Sequence, residues 1–400
     1  MNVAKKLYCR IYQGAFRLAL PLLPYKTPAV LDTVERIPAL LRGRQVRRVL
    51  IVTDGAIRAH GLTASLERAL SENGISYTVY DKTVANPTAQ NVEEAGQAYL
   101  ETGCQALIGF GGGSSIDCAK IVGARVAKPK QPVPKMKGIL KIRKKIPLLI
   151  AVPTTAGTGS ETTLAAVITD GATRYKFPIN DFPLIPSYAV LDPEVTKSLP
   201  PSLTATTGMD ALTHAVEAFV GRSTTRQTRA YAVEAVRLIF GNIEAAYRNG
   251  EDGEARAKML KAAFLAGAAF TKSYVGYCHA VAHSLGGKYN TPHGLANAVL
   301  LPITLEAYGP AVYKKLKALA VAAGLCEESA GEQAAAEAFI RRIRSLNQAM
   351  GIPGTLGGIQ EADIPLLTRH AEKEANPLYP VPKLMDAAAL ESLYYAVREV

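Results

Sequence analysis

The sequence predicts a two-domain protein in which an α/β domain with a parallel sheet precedes an all-helical domain. Before about residue 200, short β-branched runs alternate with helical stretches. After it this alternation is lost, and residues 191–201 between the two regions carry three prolines. Strands separated by helical crossovers form parallel sheets with helices on both faces. We therefore expect an α/β domain over residues 1–198, with 1–30 as an atypical N-terminal segment, and a helical domain over residues 199–400.

Each element follows from a local pattern. Aliphatic runs predict strands at residues 46–53, 77–80, 106–110 and 148–152. Helices are predicted between them at 61–73, 92–103 and 116–127. Ala-, Leu- and Glu-rich segments with helical period then predict helices at 202–220, 226–248, 254–271, 312–323 and 332–350.

Composition excludes several classes of protein. With 48% hydrophobic and 20% charged residues among 400, wholesale disorder is not expected. The five cysteines are scattered and lack CxxC spacing, which disfavours a disulfide framework and predicts a reducing compartment. No apolar run is long enough to span a bilayer, and the N-terminal apolar stretch is interrupted by Arg17 and lacks a small-residue cleavage site. We expect a cytoplasmic protein.

The net charge of +12 raises nucleic acid as a partner, but part of the excess is local. Eight basic residues fall in one stretch: Lys128, Lys130, Lys135, Lys137, Lys141, Arg143, Lys144 and Lys145. No aromatic residues are interleaved for stacking on bases, so no nucleic-acid partner is expected. The stretch is interpreted as a solvated loop, with an electrostatic funnel for an anionic cofactor or substrate as the alternative.

Two small-residue loops follow predicted strands. Gly111-Gly112-Gly113-Ser114-Ser115 comes after the third strand and opens a helix, so its backbone N–H groups and the helix N-terminus could bind a pyrophosphate. A simple tight turn is the alternative. The second loop, PTTAGTGSE at residues 153–161, follows the fourth strand in the same way. Two such loops at the carboxyl ends of parallel strands predict a dinucleotide crevice.

Asp54 closes the first strand of this domain. A carboxylate there could accept hydrogen bonds from the adenosine ribose and would repel a 2′-phosphate, which favours NAD over NADP. A helix cap or turn before Gly55 is an equally good interpretation.

Metal-ligating residues concentrate in the helical half. The chain has six histidines, and His279, His283 and His293 fall within fifteen residues. His214 lies four residues after Asp210, so both can share one helix face. Imidazoles and one carboxylate suit Fe²⁺ or Zn²⁺. Five candidates exceed the need of a tetrahedral site, which leaves one of the His279/His283 pair for another role, such as relaying a proton.

Four strings taken together resemble the iron-containing (group III) alcohol dehydrogenases. They are GGGSSIDCAK, PTTAGTGSE, GMDALTHAVEAF and HAVAHSLGGKYNTPHGLANAVLLP, and the similarity runs from about Val46 to near the C-terminus. The resemblance implies a Rossmann-like domain and a helical metal-binding domain, with NAD(P) and a divalent metal held in a cleft. It also implies reversible hydride transfer between NAD(H) and a small alcohol, diol or aldehyde, by an enzyme expected to be a homodimer or larger homo-oligomer.

The resemblance also assigns roles by position. It implies metal ligation by Asp210, His214, His279 and His293, with His283 near the nicotinamide and substrate as the proton relay. It implies cofactor contacts at Asp54, Asn86, Gly112, Gly113, Ser114, Thr154, Thr155, Thr163 and Lys176.

Two features depart from the family pattern. The usual N-terminal strand-and-glycine opening is replaced by an aromatic, basic segment, LYCRIYQGAFRLALPLLPYKTP, and the lysine-rich stretch is unlike the short loop expected. The apolar residues of the segment predict a core or dimer surface; a membrane-surface helix is the less favoured alternative. Rival functions are a glycerol-dehydrogenase-like or dehydroquinate-synthase-like enzyme, or a catalytically silent anion- or membrane-binding module.

Overall fold

The computed structural model describes Met1, residues 3–169 and residues 176–399. The chain divides into two compact units, one formed by Pro24–Leu199 and the other by Met1–Leu23 together with Pro200–Val400. The first helix, α1 (Val3–Ala19), therefore belongs to the helical unit. The sequence analysis grouped these residues with the α/β domain, because chain order alone does not reveal that a terminal segment packs against the other end of the chain.

The α/β unit contains nine strands and five helices among its described residues. In chain order they are β1 (Ala29–Leu31), α2 (Ile37–Gly43), β2 (Arg48–Asp54), α3 (Gly55–Ala59), α4 (Ala64–Glu72), β3 (Ser76–Thr83), α5 (Ala89–Glu101), β4 (Ala106–Gly111), α6 (Gly113–Ala127), β5 (Gly138–Ile139), β6 (Leu148–Pro153), β7 (Ala165–Thr169), β8 (Lys176–Asn180) and β9 (Tyr188–Val190). Six strands form one parallel sheet in the order β1-β9-β6-β4-β2-β3. The predicted parallel α/β architecture is confirmed.

The sheet is stabilised by burial on both faces. All six residues of β4 are buried, and alternate residues enter different cores: Leu107 packs in one cluster, and Ile108 and Phe110 in the other. Each fully buried aliphatic or aromatic side chain contributes about 1.5–3 kcal/mol relative to an exposed one. A strand without polar alternation is what a sheet with helices on both faces requires.

A second sheet was not predicted. It has three strands in the order β5-β8-β7, with β7 and β8 antiparallel. The lysine-rich stretch contains β5 and is anchored, since Val133, Met136 and Ile142 are buried in the core. Its basic side chains remain exposed or half-buried. The stretch is thus packed against the core through its apolar residues, and its charged groups face solvent.

The second unit is helical, as predicted. After α1 its helices are α7 (Pro201–Val220), α8 (Arg226–Arg248), α9 (Gly253–Ser273), α10 (Tyr277–Tyr289), α11 (His293–Tyr308), α12 (Tyr313–Ala322), α13 (Glu332–Ala349), α14 (Ile364–Ala375) and α15 (Ala387–Val397). No described helix combines the length and apolarity needed to cross a bilayer. Helix α7 packs against α8, α9 and α11, which buries nearly all of its C-terminal half.

Candidate metal centre and nucleotide loops

Helix α7 carries two of the predicted ligands on one buried face. Asp210 and His214 are one helical turn apart and are 2% and 4% exposed. The surrounding residues of α7 are mostly small or aliphatic, so the helix can be buried on all sides while these polar groups converge. The His214 ring stacks on Phe270 of α9, with ring centroids 4.1 Å apart, which holds its orientation.

The other two predicted ligands lie at the starts of α10 and α11. His279 lies in the first turn of α10, and His293 is the first residue of α11. Between them, Asn290 adopts the left-handed conformation that ends α10, and Pro292 precedes the new helix. This turn brings His293 Nε2 to 3.4 Å from the Asp210 Oδ1 atom.

The structure brings all four predicted ligands together. One ligand atom from each of Asp210, His214, His279 and His293 can be chosen so that all lie within 4.8 Å of one another. Three imidazole nitrogens and one carboxylate oxygen are the donor set of a borderline transition metal such as Fe²⁺ or Zn²⁺.

The state of His279 fits a bound cation. Its Nε2 atom is buried, and among the described residues it has no hydrogen-bond partner. Burial, reinforced by the neighbouring imidazoles, lowers the pKa of His279 well below its usual value, so the ring is neutral. A buried lone pair without a donor is costly unless a cation receives it.

Glu217 is a functional residue that the sequence analysis missed. Its Oε2 atom lies 2.6 Å from His279 Nδ1 and accepts the Gly276 N–H at 2.8 Å, and its Oε1 atom accepts the Cys278 N–H at 2.9 Å. Burial raises the pKa of Glu217 to about 7, and the backbone donors oppose that rise. Its position seven residues after Asp210, on the same face of α7, was the available signal.

Asn297 of α11 is a second such residue. Its Nδ2 atom donates to Asp210 Oδ1 at 2.7 Å and lies 3.1 Å from His293 Nε2. Asn297 is fully buried. Asn297 lies one helical turn after His293, and this spacing in the sequence would have predicted that it lies beside the site. The amide therefore orients the Asp210 carboxylate toward the cluster.

His283 lies beside the four-residue cluster. Its ring stacks on His293 with centroids 5.1 Å apart, and its Nδ1 atom lies 2.6 Å from Glu374 Oε1. Partial desolvation disfavours the charged imidazole, but the Glu374 carboxylate outweighs this effect and raises the pKa of His283, whose side chain is 42% exposed. The charged form of His283 is thus favoured relative to an isolated imidazole, in contrast to that of His279 and His293.

The glycine loop between β4 and α6 has the geometry of a tight strand-to-helix turn. Gly111 has φ +143°, and a Cβ atom there would lie 2.6 Å from Ser115 Oγ. Gly112 caps α6 through its backbone, and Gly113 and Ser114 form the first turn. The N–H groups of this turn are the orphan donors of a helix N-terminus, which favour an anion.

The second loop meets the first. The Thr154 N–H donates to the Gly111 carbonyl at 3.0 Å. A Cβ built on Gly112 would contact the side chain of Thr155 at 3.8 Å. Thr154 is buried, whereas Thr155 is half-buried and borders the glycines. Both predicted loops therefore lie together at the carboxyl ends of β4 and β6.

Asp54 acts as a helix cap. Its Oδ1 atom accepts the N–H groups of Ala56 and Ile57, each at 3.0 Å, and Ser115 Oγ donates to its Oδ2 atom at 3.1 Å. The capping interpretation is therefore realised, and the carboxylate is held beside the start of α6. A ribose contact is compatible with this position because carboxylate oxygens accept several hydrogen bonds.

The remaining predicted cofactor residues differ in their accessibility. The Asn86 N–H donates to Ser114 Oγ at 3.3 Å, which adds Asn86 to the loop cluster. Thr163 is buried, and its Oγ1 atom accepts from Lys120 Nζ at 2.9 Å. The Thr163 hydroxyl is therefore engaged by a buried residue of the α/β unit. Lys176 begins β8 and is half-buried, which lowers the pKa of its ammonium group.

An α/β unit with two small-residue loops at the carboxyl ends of its strands, followed by a helical unit with a His/Asp cluster, is an arrangement that fits an oxidoreductase. The sequence model described as "Iron-containing alcohol dehydrogenase" matches residues 30–193. A second model, "Fe-containing alcohol dehydrogenase family, C-terminal", matches residues 204–397. The chain belongs to the iron-containing alcohol dehydrogenase family and acts on CH–OH groups.

Known relatives agree. The chain is 37% identical to "Alcohol dehydrogenase 4" of Saccharomyces cerevisiae (strain YJM789), over 86% of this chain and 89% of that protein. It is 36% identical to "NAD-dependent methanol dehydrogenase" of Bacillus methanolicus, over 84% and 89%. The crystal structure of a 1,3-propanediol oxidoreductase superposes with a TM-score of 0.88 at 33% identity, covering 93% of this chain and 98% of that one.

Proposed function

We propose that this protein is an NAD-dependent, divalent-metal alcohol dehydrogenase that interconverts a small alcohol or diol and its aldehyde. The observation that carries the proposal is the convergence of Asp210, His214, His279 and His293 within 4.8 Å. The buried Nε2 atom of His279, which lacks a partner among the described residues, supports a cation at this point.

The four ligands would hold the metal, which supplies Lewis-acid polarisation of the substrate oxygen when bound. The Asp210 carboxylate supplies the one negative charge of the donor set. Glu217 accepts a hydrogen bond from His279 Nδ1, so the proton resides there and Nε2 presents its lone pair. Asn297 restrains Asp210.

His283 is proposed to carry the substrate hydroxyl proton. Its Nδ1 atom is engaged by Glu374, which leaves Nε2 as the ring nitrogen that exchanges a proton. The raised pKa that Glu374 produces keeps the protonated form accessible. A proton taken from an alcohol can therefore be stored on this ring before it passes to solvent.

NAD is proposed as the hydride carrier, with its pyrophosphate at Gly112, Gly113 and Ser114. Asn86, Thr154, Thr155 and Lys176 are proposed to contact it. Thr163 is proposed to support the cofactor site indirectly, because its Oγ1 atom accepts from Lys120, which also donates to Ser160 in the second loop. Asp54 would accept from the adenosine ribose. A relative named NAD-dependent methanol dehydrogenase supports this choice of cofactor and a short alcohol as substrate. The similar 1,3-propanediol oxidoreductase extends the proposed substrates to short diols.

We further propose a homodimer in a reducing, cytoplasmic compartment. All five cysteines are free thiols, which fits that compartment. The domain boundaries at residues 198 and 199 are proposed as the functional division between nucleotide and metal binding. Light scattering of the purified protein measures the oligomeric state.

The test combines metal analysis with the absorbance of NADH. Protein purified without chelator should contain one divalent metal per chain and reduce NAD with short alcohols or diols, and the element detected decides between iron and zinc. Asp210→Asn should lose metal and turnover together, while Asp32→Asn, at an exposed surface carboxylate, should lose neither. Full activity in chelated, metal-free protein would refute the proposal.

A further inference from the structure

The first helix of the chain lies outside the catalytic fold. The two family models match residues 30–193 and 204–397, so α1 is an addition to what the family shares. It is nevertheless firmly attached to the helical unit. Gln13 Nε2 donates to the Tyr379 carbonyl at 2.8 Å, and Arg10 Nη1 donates to the Val381 carbonyl at 2.7 Å. The Phe16 ring packs edge-on against Tyr274, with centroids 5.0 Å apart.

These contacts occupy only one face of α1. Cys9 and Gln13 are buried against the unit, and the opposite face is exposed and apolar. Its aliphatic residues are Val3, Leu7, Ile11 and Leu18, and the following 3₁₀ turn adds Leu22, which is 86% exposed. Spacings of four and seven residues align the helical members in one stripe.

Exposed aliphatic side chains in a continuous stripe are unusual for a protein in water. Scattered surface leucines need no explanation, but a contiguous apolar patch marks an interaction surface. Tyr8 and Tyr12 are also exposed at the margin of this stripe. Tyrosine combines an apolar ring with a polar hydroxyl and is enriched where apolar and aqueous phases meet.

The charges around the stripe indicate the chemistry of its partner. Lys6 and Arg17 are exposed on one flank. No acidic residue occurs before Asp32 in the sequence, although the same stretch contains five lysines and arginines. A second copy docked by the same face would bring the basic flanks together without acids on the helix to pair with them. An anionic lipid surface complements both the apolar stripe and its basic flank.

We propose that α1 is an interfacial membrane anchor that inserts its apolar stripe among the acyl chains of an anionic bilayer. The helix lies in the plane of the membrane and does not cross it, consistent with its 17 residues. Because Arg10 and Gln13 fix the helix on the helical unit, the stripe is already oriented outward and no ordering of the helix is required on binding. The enzyme would thereby be held at a lipid surface.

Vesicle flotation of the full-length protein tests the proposal. We expect binding to vesicles of phosphatidylcholine mixed with phosphatidylserine, weaker binding to phosphatidylcholine alone, and a decrease at high salt. Leu7→Gln combined with Ile11→Gln should lower the partition coefficient by about tenfold per side chain. Leu100→Gln is the matched control, because Leu100 of α5 is 63% exposed and Leu7 is 61% exposed.

A fluorescence measurement gives an independent readout. The chain has no tryptophan, so Ile11→Trp introduces a single indole on the stripe. Its emission should shift to shorter wavelength with anionic vesicles, whereas that of Leu100→Trp should not. Lys6→Gln combined with Arg17→Gln should weaken binding about fivefold for each charge removed.

The alcohol dehydrogenase activity without lipid should be unchanged in all these variants, because none of the substituted residues belongs to the metal centre or the nucleotide loops. Absence of vesicle binding by the wild type would overturn the proposal. If, in addition, Leu7→Gln with Ile11→Gln lowers the molecular mass in analytical ultracentrifugation, the occupant is a second copy. An unchanged molecular mass would instead indicate that the stripe is exposed to solvent and is covered neither by lipid nor by a second copy.

Discussion

Glu217 Oε2 lies 2.6 Å from Nδ1 of His279, although 62 residues separate them in the chain. Both side chains are buried, and the same carboxylate also accepts two backbone N–H groups from the turn that begins α10. One residue of α7 thus fixes both the path of the chain before His279 and the orientation of the ring. Carboxylate–histidine pairs of this kind tune metal sites in proteins.

Glu217→Gln should weaken metal binding by about 10- to 100-fold. The glutamine amide cannot accept from the backbone and from Nδ1 at the same positions, so at least one donor loses its acceptor. Metal affinity is measured by competition with a coloured chelator, which reads the site without requiring turnover. Glu306→Gln, at an exposed ion pair on α11, serves as the control and should retain wild-type affinity. Equal affinities in both variants would contradict the role of Glu217.

Gly294→Ala should displace His293 and lower metal affinity by about tenfold or more. A Cβ atom at Gly294 would overlap the Thr206 carbonyl oxygen, so the start of α11 would have to move away from α7. Gly287→Ala in α10 is the matched substitution, since no atom lies within 4 Å of its Cβ position. It should stabilise the protein by about 0.5–1 kcal/mol and leave metal affinity unchanged. Chelator competition and thermal unfolding distinguish the two variants.

Two substitutions at Asp54 should distinguish the role of its carboxylate as a helix cap from its role in selecting NAD over NADP. Asp54→Ser keeps a side-chain acceptor for the N–H groups of α3 but removes the negative charge, whereas Asp54→Ala removes both. Both variants should raise the NADP to NAD ratio of kcat/KM by about tenfold, because a 2′-phosphate is no longer repelled. Only Asp54→Ala should lose about 1 kcal/mol of stability. If the NADP to NAD ratio of kcat/KM is unchanged in both variants, the Asp54 carboxylate only caps α3 and does not select the cofactor.

The stability of the protein should depend on pH through Glu161. Burial raises the pKa of this carboxyl to about 7, and the nearby Lys120 opposes the rise. The folded state therefore retains a proton that the unfolded state releases at lower pH, so stability falls as pH rises from about 4.5 to 7. Relative to Glu161→Gln, the wild type should lose on the order of 1–3 kcal/mol across that window. Urea unfolding at stepped pH measures this difference, and parallel curves for the two proteins would exclude it.

Local sequence patterns were sufficient to predict much of the helical unit and of the parallel sheet. The helix predicted at 226–248 coincides with α8, and the strand predicted at 106–110 lies within β4. Periodicity and buried aliphatic runs report such elements directly, because burial selects the side chains. The convergence of Asp210 with His214 also followed from spacing on one helix.

Other features depended on contacts between distant segments. The second sheet pairs strands that are too short and too mixed in composition to be recognised, and α1 joined the helical unit through contacts with residues more than 360 positions away. The Asp54 carboxylate was equally compatible with a cap and a ribose contact until α3 and α6 were placed around it.

The sequence by itself determined the family chemistry of this protein: the fold class, the two glycine-rich loops and the four residues expected to bind metal. Only the tertiary structure decided which groups support them, with Glu217 behind His279 and Asn297 between Asp210 and His293. It also decided that α1 turns its apolar stripe outward. The reason is physical. Periodicity records whether a residue is buried within its own element, but hydrogen-bond partners and exposed faces are set by which elements pack together.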